Sequence, residues 1–499
     1  MMAPTPILTI PPFPGARPPV FAVAGGGDAA DVPALLAALA QHRVGGCYWG
    51  RQLSGPALLD AGNWPADADP WSLLDGAEHV RLPLGDPRAL LALAAGKPTL
   101  LVDAQGREQP ADAAVLTAAH LTGWQWRDPF NGDIISPLQA IELCGFWRQL
   151  VDSNRGITAA LGFAYWKKPT VAPLLWHGGP VPFERGVPAL QAGDTLAIWR
   201  SRLTAAQAKA LPGHKVLEVE DGFIRSAGLG ADCVPPLSII VDGDGVHFDP
   251  SQPSGLEQLL QHGQFPPALL ARAARLREAI VAGGLSKYER GGSITLPRPG
   301  GQRRHVLVPG QVEDDRAVTS GGALSSNLEL LRRARAAAGR QAFVIYKPHP
   351  DVLAGHRKGL IADADMAALA DRVETDAPMA ALIAMADELH VNSSLAGFEA
   401  MLRGKPVTVH GVPFYAGWGL TSDRGPVPAR RTARRSVDEL VAATCLLYPR
   451  YLDPVTGLPC PAEVLVQRLT EAPPPLDPTA AAVVTLRRAT GRARRALGF

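Results

Sequence analysis

The chain has 499 residues, a formal net charge of +2 and 5 cysteines. That length supplies about three domains with full cores, so stapling is not required. Cys47, Cys144, Cys233, Cys445 and Cys460 are scattered without a CxxC pair, which excludes a disulfide framework and a zinc knuckle and fits a reducing compartment.

Residues 1–30 hold an apolar stretch around Phe21 to Ala24. Pro and Gly interrupt it and no basic segment precedes it, so it does not read as a signal peptide. No run approaches the roughly 18 apolar residues of a membrane span. Strand-length apolar runs then alternate with Ala/Leu-rich helical stretches: Thr99 to Val102, Val216 to Val219, Ser238 to Val241, His305 to Val308, Phe343 to Tyr346, Glu388 to Val391 and Val407 to Val409. Helices such as Leu270 to Ala282 and Leu328 to Ala338 lie between them. This alternation predicts an α/β protein with parallel sheets. Proline-rich joints near 166–182, 294–300 and 472–478 mark boundaries or linkers.

The early part of the chain echoes the late part. Gly96-Lys97-Pro98-Thr99 and Asp128-Pro129-Phe130-Asn131-Gly132 precede the helical Pro137 to Leu150, as Gly404-Lys405-Pro406-Val407 and Asp453-Pro454-Val455-Thr456-Gly457 precede Pro461 to Leu469. Residues 1–150 therefore read as a degenerate α/β half-module, structural or acceptor-binding in role. The remaining divisions are 151–265, 266–450, a returning helix at 451–475 and a basic tail at 476–499. The end of that tail, Leu486 to Phe499, holds several arginines and no acid. It suits an anionic membrane surface, or equally a solvated terminus. Basic-aromatic interleaving is missing elsewhere, so nucleic acid is not expected as a partner.

Three segments carry chemistry. In Leu217 to Ser226 the alternating apolar residues form a strand and Gly222 permits a sharp exit, which puts Glu220 and Asp221 at the carboxyl edge of a sheet, where open α/β sheets bind ligands. Adjacent strand carboxylates point to opposite faces. One can face a substrate while the other holds a donor such as Arg225, and Asp221 suits either a nucleophile or a base at an anomeric carbon. The second segment, Lys347-Pro348-His349-Pro350-Asp351, follows a buried strand; its prolines fix the backbone around His349, which with Lys347 suits a phosphate or a cytosine ribose. In the third, Ser393 and Ser394 sit at a helix start, where a hydroxyl either caps the helix or donates to a phosphate.

Gln311, in the exit loop Val308 to Asp315, is a candidate donor to a nucleotide, and the aromatic, glycine-rich loop Val412 to Asp423 a candidate lining. HExxH, a complete calcium loop, a Walker-type GxxxxGK[ST] and a G-x-S-x-G elbow are all absent.

Together Glu220-Asp221-Gly222-Phe223-Ile224-Arg225-Ser226, Gly228-Leu229-Gly230, Val308 to Asp315, Lys347-Pro348-His349-Pro350, Ser394 to Glu399 and Pro413 to Thr421 closely resemble the capsular polysaccharide β-Kdo transferases, the KpsC-like retaining glycosyltransferases. The ordered matches cover roughly residues 160–470. The resemblance implies a GT-B-like fold, two Rossmann-type domains facing across a cleft, preceded here by the half-module. It implies transfer of Kdo from CMP-Kdo with retention, with no cofactor and no metal ion.

On this resemblance Asp221 is the catalytic nucleophile, forming a covalent adduct, with Glu220 in support. The resemblance implies too that His349, Pro350 and the serine at 393 or 394 bind the nucleotide, with Lys347 nearby; Gln311 is expected beside them, and Arg225, Ser226 and Trp418 are the expected substrate contacts. The implied partners are a CMP-sugar donor and a glycolipid or oligosaccharide acceptor, in surface polysaccharide biosynthesis. The expected location is cytoplasmic and peripheral at the inner membrane. A CMP-sialic-acid-type transferase and a non-catalytic polysaccharide-binding or export scaffold are the alternatives. Capsule enzymes of this type often carry two active modules, whereas this sequence holds one and a truncated copy.

Overall fold

The computed structural model describes residues 4–26, 31–189, 191, 193–225, 234–286, 295–353, 355 and 357–471. Ser226, Cys233 and the tail 476–499 lie outside them. The chain divides into two compact units, one of residues 1–158, 172–182 and 455–459, the other of 159–171, 183–454 and 460–499.

The first unit contains a four-stranded sheet in the order Leu58–Asp60, His79–Pro83, Thr99–Val102, Glu108–Pro110, the first three strands parallel and the last antiparallel. Alternation decides its packing. Leu59, Val80, Leu82 and Leu101 turn inward and are almost fully buried, whereas Leu58, His79, Arg81 and Leu100 face out and are exposed. Parallel sheets are ordinarily covered on both faces; this one is covered on one. A three-stranded antiparallel sheet, Ala22–Ala24, Trp124–Arg127 and Ile134–Ile135, completes the strands described there. The helix Pro137–Asn154 starts with a capping box between Ser136 and Gln139, has proline in its first turn, and buries Ile141, Trp147 and Val151.

The second unit holds two sheets. The first passes, in spatial order, through Arg450–Leu452, Ser238–Asp242, Lys215–Asp221, Thr195–Ile198, Ile157–Leu161 and Phe183–Glu184. It is mixed: Lys215–Asp221 runs parallel to Thr195–Ile198 but antiparallel to Ser238–Asp242. The expectation of purely parallel sheets fails here, because Ser238–Asp242 lies antiparallel beside Lys215–Asp221. The second sheet, Arg372–Val373, Phe343–Lys347, His305–Pro309, Glu388–Val391, Val407–Val409 and Ser422–Asp423, is parallel throughout. Its central strands read as unbroken apolar runs because both faces are covered; all five residues of His305–Pro309 and of Phe343–Lys347 are buried. The class is α/β and the architecture GT-B-like.

The sequence echo has a local structural counterpart. After the helix Arg88–Ala94, Gly96 takes φ +70°, its N–H donates to Leu93 O and that of Lys97 to Ala92 O. After Leu395–Leu402, Gly404 takes φ +68°, its N–H donates to Met401 O and that of Lys405 to Ala400 O. Both are Schellman turns, whose left-handed residue favours glycine. A π-helical turn precedes each later strand, Ala118–Thr122 before Trp124–Arg127 and Ala442–Leu447 before Arg450–Leu452. Trp126 and Tyr451 reach back to close these turns, onto Leu121 O at 2.9 Å and Cys445 O at 2.8 Å.

Candidate active site

A cavity of about 740 Å³ lies in the second unit where strands of both sheets end. From the mixed sheet come Glu220 and Asp221, the last residues of Lys215–Asp221, with Lys167, Trp199 and Arg225. From the carboxyl ends of three parallel strands come Gln311, His349 and the Ser393–Ser394 pair. This is the edge at which α/β sheets present ligand-binding loops.

Asp221 is held at both oxygens. Lys167 Nζ lies 3.1 Å from Oδ1 and Arg225 Nε donates to Oδ2 at 2.8 Å. Each carboxylate oxygen thus has a charge-assisted contact of its own. Arg225 is fully buried and also donates to Val234 O at 2.8 Å, so on this wall it works as a strut for Asp221. Lys167 Nζ stands 3.2 Å from the centroid of Trp199 as well. Burial lowers the Lys167 ammonium to about 8, against the pull of Asp221.

Glu220 is held differently. Arg316 bridges it at 2.9 Å and Glu218 at 2.7 Å, while Arg200 pairs with Glu218 at 2.7 Å. Burial, then the neighbouring charge of Asp221, raises Glu220 to about 7, with Arg316 opposing. The two adjacent carboxylates thus differ in character: one is clamped between cations, the other exchanges a proton near neutrality. Both line the cavity because the strand ends there, although strand alternation predicted opposite faces. The predicted donor Arg225 belongs to Asp221, and Glu220 takes Arg316.

On the opposite wall Gln311 and Ser393 lock each other: Gln311 Nε2 donates to Ser393 Oγ at 3.2 Å and Ser393 N donates to Gln311 Oε1 at 3.0 Å. Ser393 Oγ donates to Ala317 O at 2.8 Å. Ser394 caps the helix Leu395–Leu402, accepting from Ala396 N at 3.2 Å. His349 Nδ1 accepts from Asp351 N at 3.2 Å, which puts the proton of the neutral ring on Nε2. Phe223, His247 and Phe414 cluster on the lining, with ring centroids 4.7 Å apart for Phe223–His247 and for Phe223–Phe414.

Three expected contact residues lie off the wall. Trp418 is fully buried: its indole N–H donates to Phe414 O at 2.8 Å and Arg431 stacks 5.6 Å from its ring. Its loop folds inward and presents Pro413 and Phe414 to the cavity instead. Lys347 is buried and donates to Ala377 O at 2.7 Å. Pro350 begins the short helix Pro350–Leu353, where its fixed φ suits a first turn, and the cavity is reached by its neighbours His349 and Asp351. Sequence reasoning passed over Lys167, Trp199 and Arg316. The Trp166-Lys167-Lys168-Pro169 stretch read only as a joint, and its cation meets Asp221 across 54 positions of chain. Among the described residues no group of three or more His, Cys, Asp or Glu is arranged to hold a metal, and no helix is long and apolar enough to cross a membrane.

Residues 189–451 match the family of capsule polysaccharide biosynthesis proteins. The chain is similar to the capsule polysaccharide modification protein LipA of Neisseria meningitidis serogroup A, 36% identical over 379 residues, which is 74% of this chain and 53% of LipA. It is 49% identical over 236 residues to the lipopolysaccharide-processing protein LpsZ of Rhizobium meliloti, covering 47% of this chain and 53% of LpsZ. The chain thus spans about half the length of these relatives. The solved structure of the Thermosulfurimonas dismutans KpsC beta Kdo 2,4 transferase matches with a TM-score of 0.54 at 31% identity, over 63% of this chain and 98% of that one. The family match over 189–451 takes in Glu220, Asp221, Gln311, His349 and Ser393 of the cavity, and the chain belongs to the KpsC-like capsule polysaccharide biosynthesis proteins.

Proposed function

We propose that this chain is a retaining glycosyltransferase that moves Kdo from CMP-Kdo to a glycolipid or oligosaccharide acceptor in surface polysaccharide biosynthesis. The observation that carries the reading is Asp221, an open-cavity carboxylate fixed at both oxygens by Lys167 and Arg225, in the cavity that also collects Gln311, His349 and Ser394.

In this reading a carboxylate oxygen of Asp221 attacks the anomeric carbon of Kdo, the bond from that carbon to the phosphate oxygen breaks, and CMP leaves with the electron pair. The acceptor hydroxyl then attacks the same carbon from the opposite side. Its proton passes to Glu220, whose raised affinity for protons suits a general base near pH 7, and Asp221 is released as a carboxylate. Two inversions give retention. His349, Ser394 and the backbone held by the Gln311–Ser393 lock are assigned to the nucleotide, and the route uses no metal ion.

Intact-protein mass spectrometry after incubation with CMP-Kdo generated in situ tests the reading, with CMP-sialic acid as the control donor. An added Kdo mass on the wild-type chain that vanishes in Asp221→Ala supports both donor and nucleophile. An adduct from CMP-sialic acid alone shifts the donor assignment. Absence of adduct, CMP release and CMP binding favours a scaffold.

A further inference from the structure

The cavity's fixed charges are almost all spent on one another. Lys167 and Arg225 are committed to Asp221, Arg316 to Glu218 and Glu220, and Arg357 to Asp314 at 3.1 Å. Each cation therefore faces a carboxylate already, and an incoming anion gains little from it. Arg202 differs. It lines the same cavity, and among the described residues its guanidinium has no carboxylate or carbonyl partner.

Its position is built rather than incidental. Trp199, on the cavity wall, leads out of the buried strand Thr195–Ile198 into a 3-10 turn, Arg200–Arg202, closed by Arg202 N–H to Trp199 O at 3.1 Å. Arg200 turns to Glu218 while Ser201 and Arg202 line the cavity. A guanidinium there offers five donors in a planar fork that matches a carboxylate or phosphate at two oxygens.

We propose that Arg202 is the anion anchor of this cavity, taking a carboxylate or phosphate group of the bound substrate in a two-point grip. The assignment rests on reading the cavity as a nucleotide-sugar site, and it adds to that reading the residue that fixes the substrate's charge. Its work is orientation: an anion seated on Arg202 draws on a cation that Asp221 does not use, and Lys167 and Arg225 stay with the carboxylate.

The test is calorimetric titration of the full chain with two probes, inorganic phosphate and free Kdo, on wild type, Arg202→Gln and Arg202→Lys. Arg202 is exposed, so equal thermal midpoints are expected for all three. Loss of one charge-assisted contact weakens binding about tenfold in Arg202→Gln, with Arg202→Lys between the two because it keeps charge without the fork. The probe that responds identifies the source, phosphoryl group or sugar carboxylate. Equal affinities for both probes in wild type and Arg202→Gln, or no binding of either by wild type, overturn the anchor. CMP-Kdo turnover by wild type is read separately. Anion binding through Arg202 without turnover removes the proposed reaction and keeps the anchor; turnover with both affinities unchanged in Arg202→Gln removes the anchor and keeps the reaction.

Discussion

Lys167 Nζ sits 3.1 Å from Asp221 Oδ1 and 3.2 Å from the centroid of Trp199, so one ammonium serves a carboxylate and an aromatic face together. The residue is buried and its proton is held less tightly than in water, to about 8. Beside it Glu220 binds its proton more tightly, to about 7.

This pairing predicts a bell-shaped pH profile for transfer. The rate rises as Glu220 ionises near pH 7 and falls as Lys167 loses its proton near pH 8, the two limbs belonging to the interacting set. Glu220→Gln removes the acid limb along with most of the rate, and Lys167→Arg carries the alkaline limb upward because a guanidinium stays charged. Initial rates between pH 5.5 and 9.5 check this; an unchanged acid limb in Glu220→Gln would exclude Glu220 as the base.

The reciprocal bonds between Gln311 and Ser393 predict a donor-binding defect. Gln311→Ala leaves Ser393 N and Oγ without that partner, a loss of about 1–3 kcal/mol. The KM for CMP-Kdo is expected to rise about tenfold, with kcat changing less. A fall in kcat at constant KM would instead tie this pair to the chemical step.

How much of this was legible in the chain depends on range. The strands Glu388–Val391 and Val407–Val409 follow from their apolar runs, and Asp221 and His349 stand out because turn chemistry places them at strand exits. Lys167 and Arg316 were not legible: each earns its place from a partner more than 50 positions away, which no local pattern encodes. Trp418 misled for a related reason. Composition marks its loop as unusual, but only packing determines that Phe414 turns to the cavity while the indole is enclosed.

Trp418 is accordingly a stability residue. Truncation in Trp418→Ala removes a fully buried indole and its bond to Phe414 O, costing about 3–5 kcal/mol. Denaturant unfolding should register that loss, and Trp418→Phe should recover most of it with near-normal donor KM. A raised KM in a fully stable Trp418→Phe would return the residue to the substrate site.

His390, on the strand Glu388–Val391, packs against His410, the residue after the neighbouring parallel strand Val407–Val409, with His390 Nδ1 3.2 Å from His410 Nε2. Burial first, then His410, lowers His390 to about 4. Its folded affinity for protons is below the unfolded one, so the unfolded chain binds the extra proton. Stability is full above about pH 6.5 and is lost as pH falls toward 4. Urea midpoints measured from pH 7.5 to 4 should decline across that window, and His390→Gln should flatten the decline. An equally steep decline in His390→Gln would move the effect to other groups.

The one-sided sheet of the first unit carries the earlier of the two echoing segments. Aligned on their shared Gly-Lys-Pro turns, Arg81 and Leu100 occupy the positions of His390 and Thr408. His390 is sealed within protein, whereas Arg81 is exposed and pairs with Glu108 at 2.6 Å. Water is thus the second layer of this mostly parallel sheet. Its His, Arg and Glu side chains keep that layer hydrated, and converting them to the Val and Ile usual in such strands would turn a solvated surface into an adhesive one.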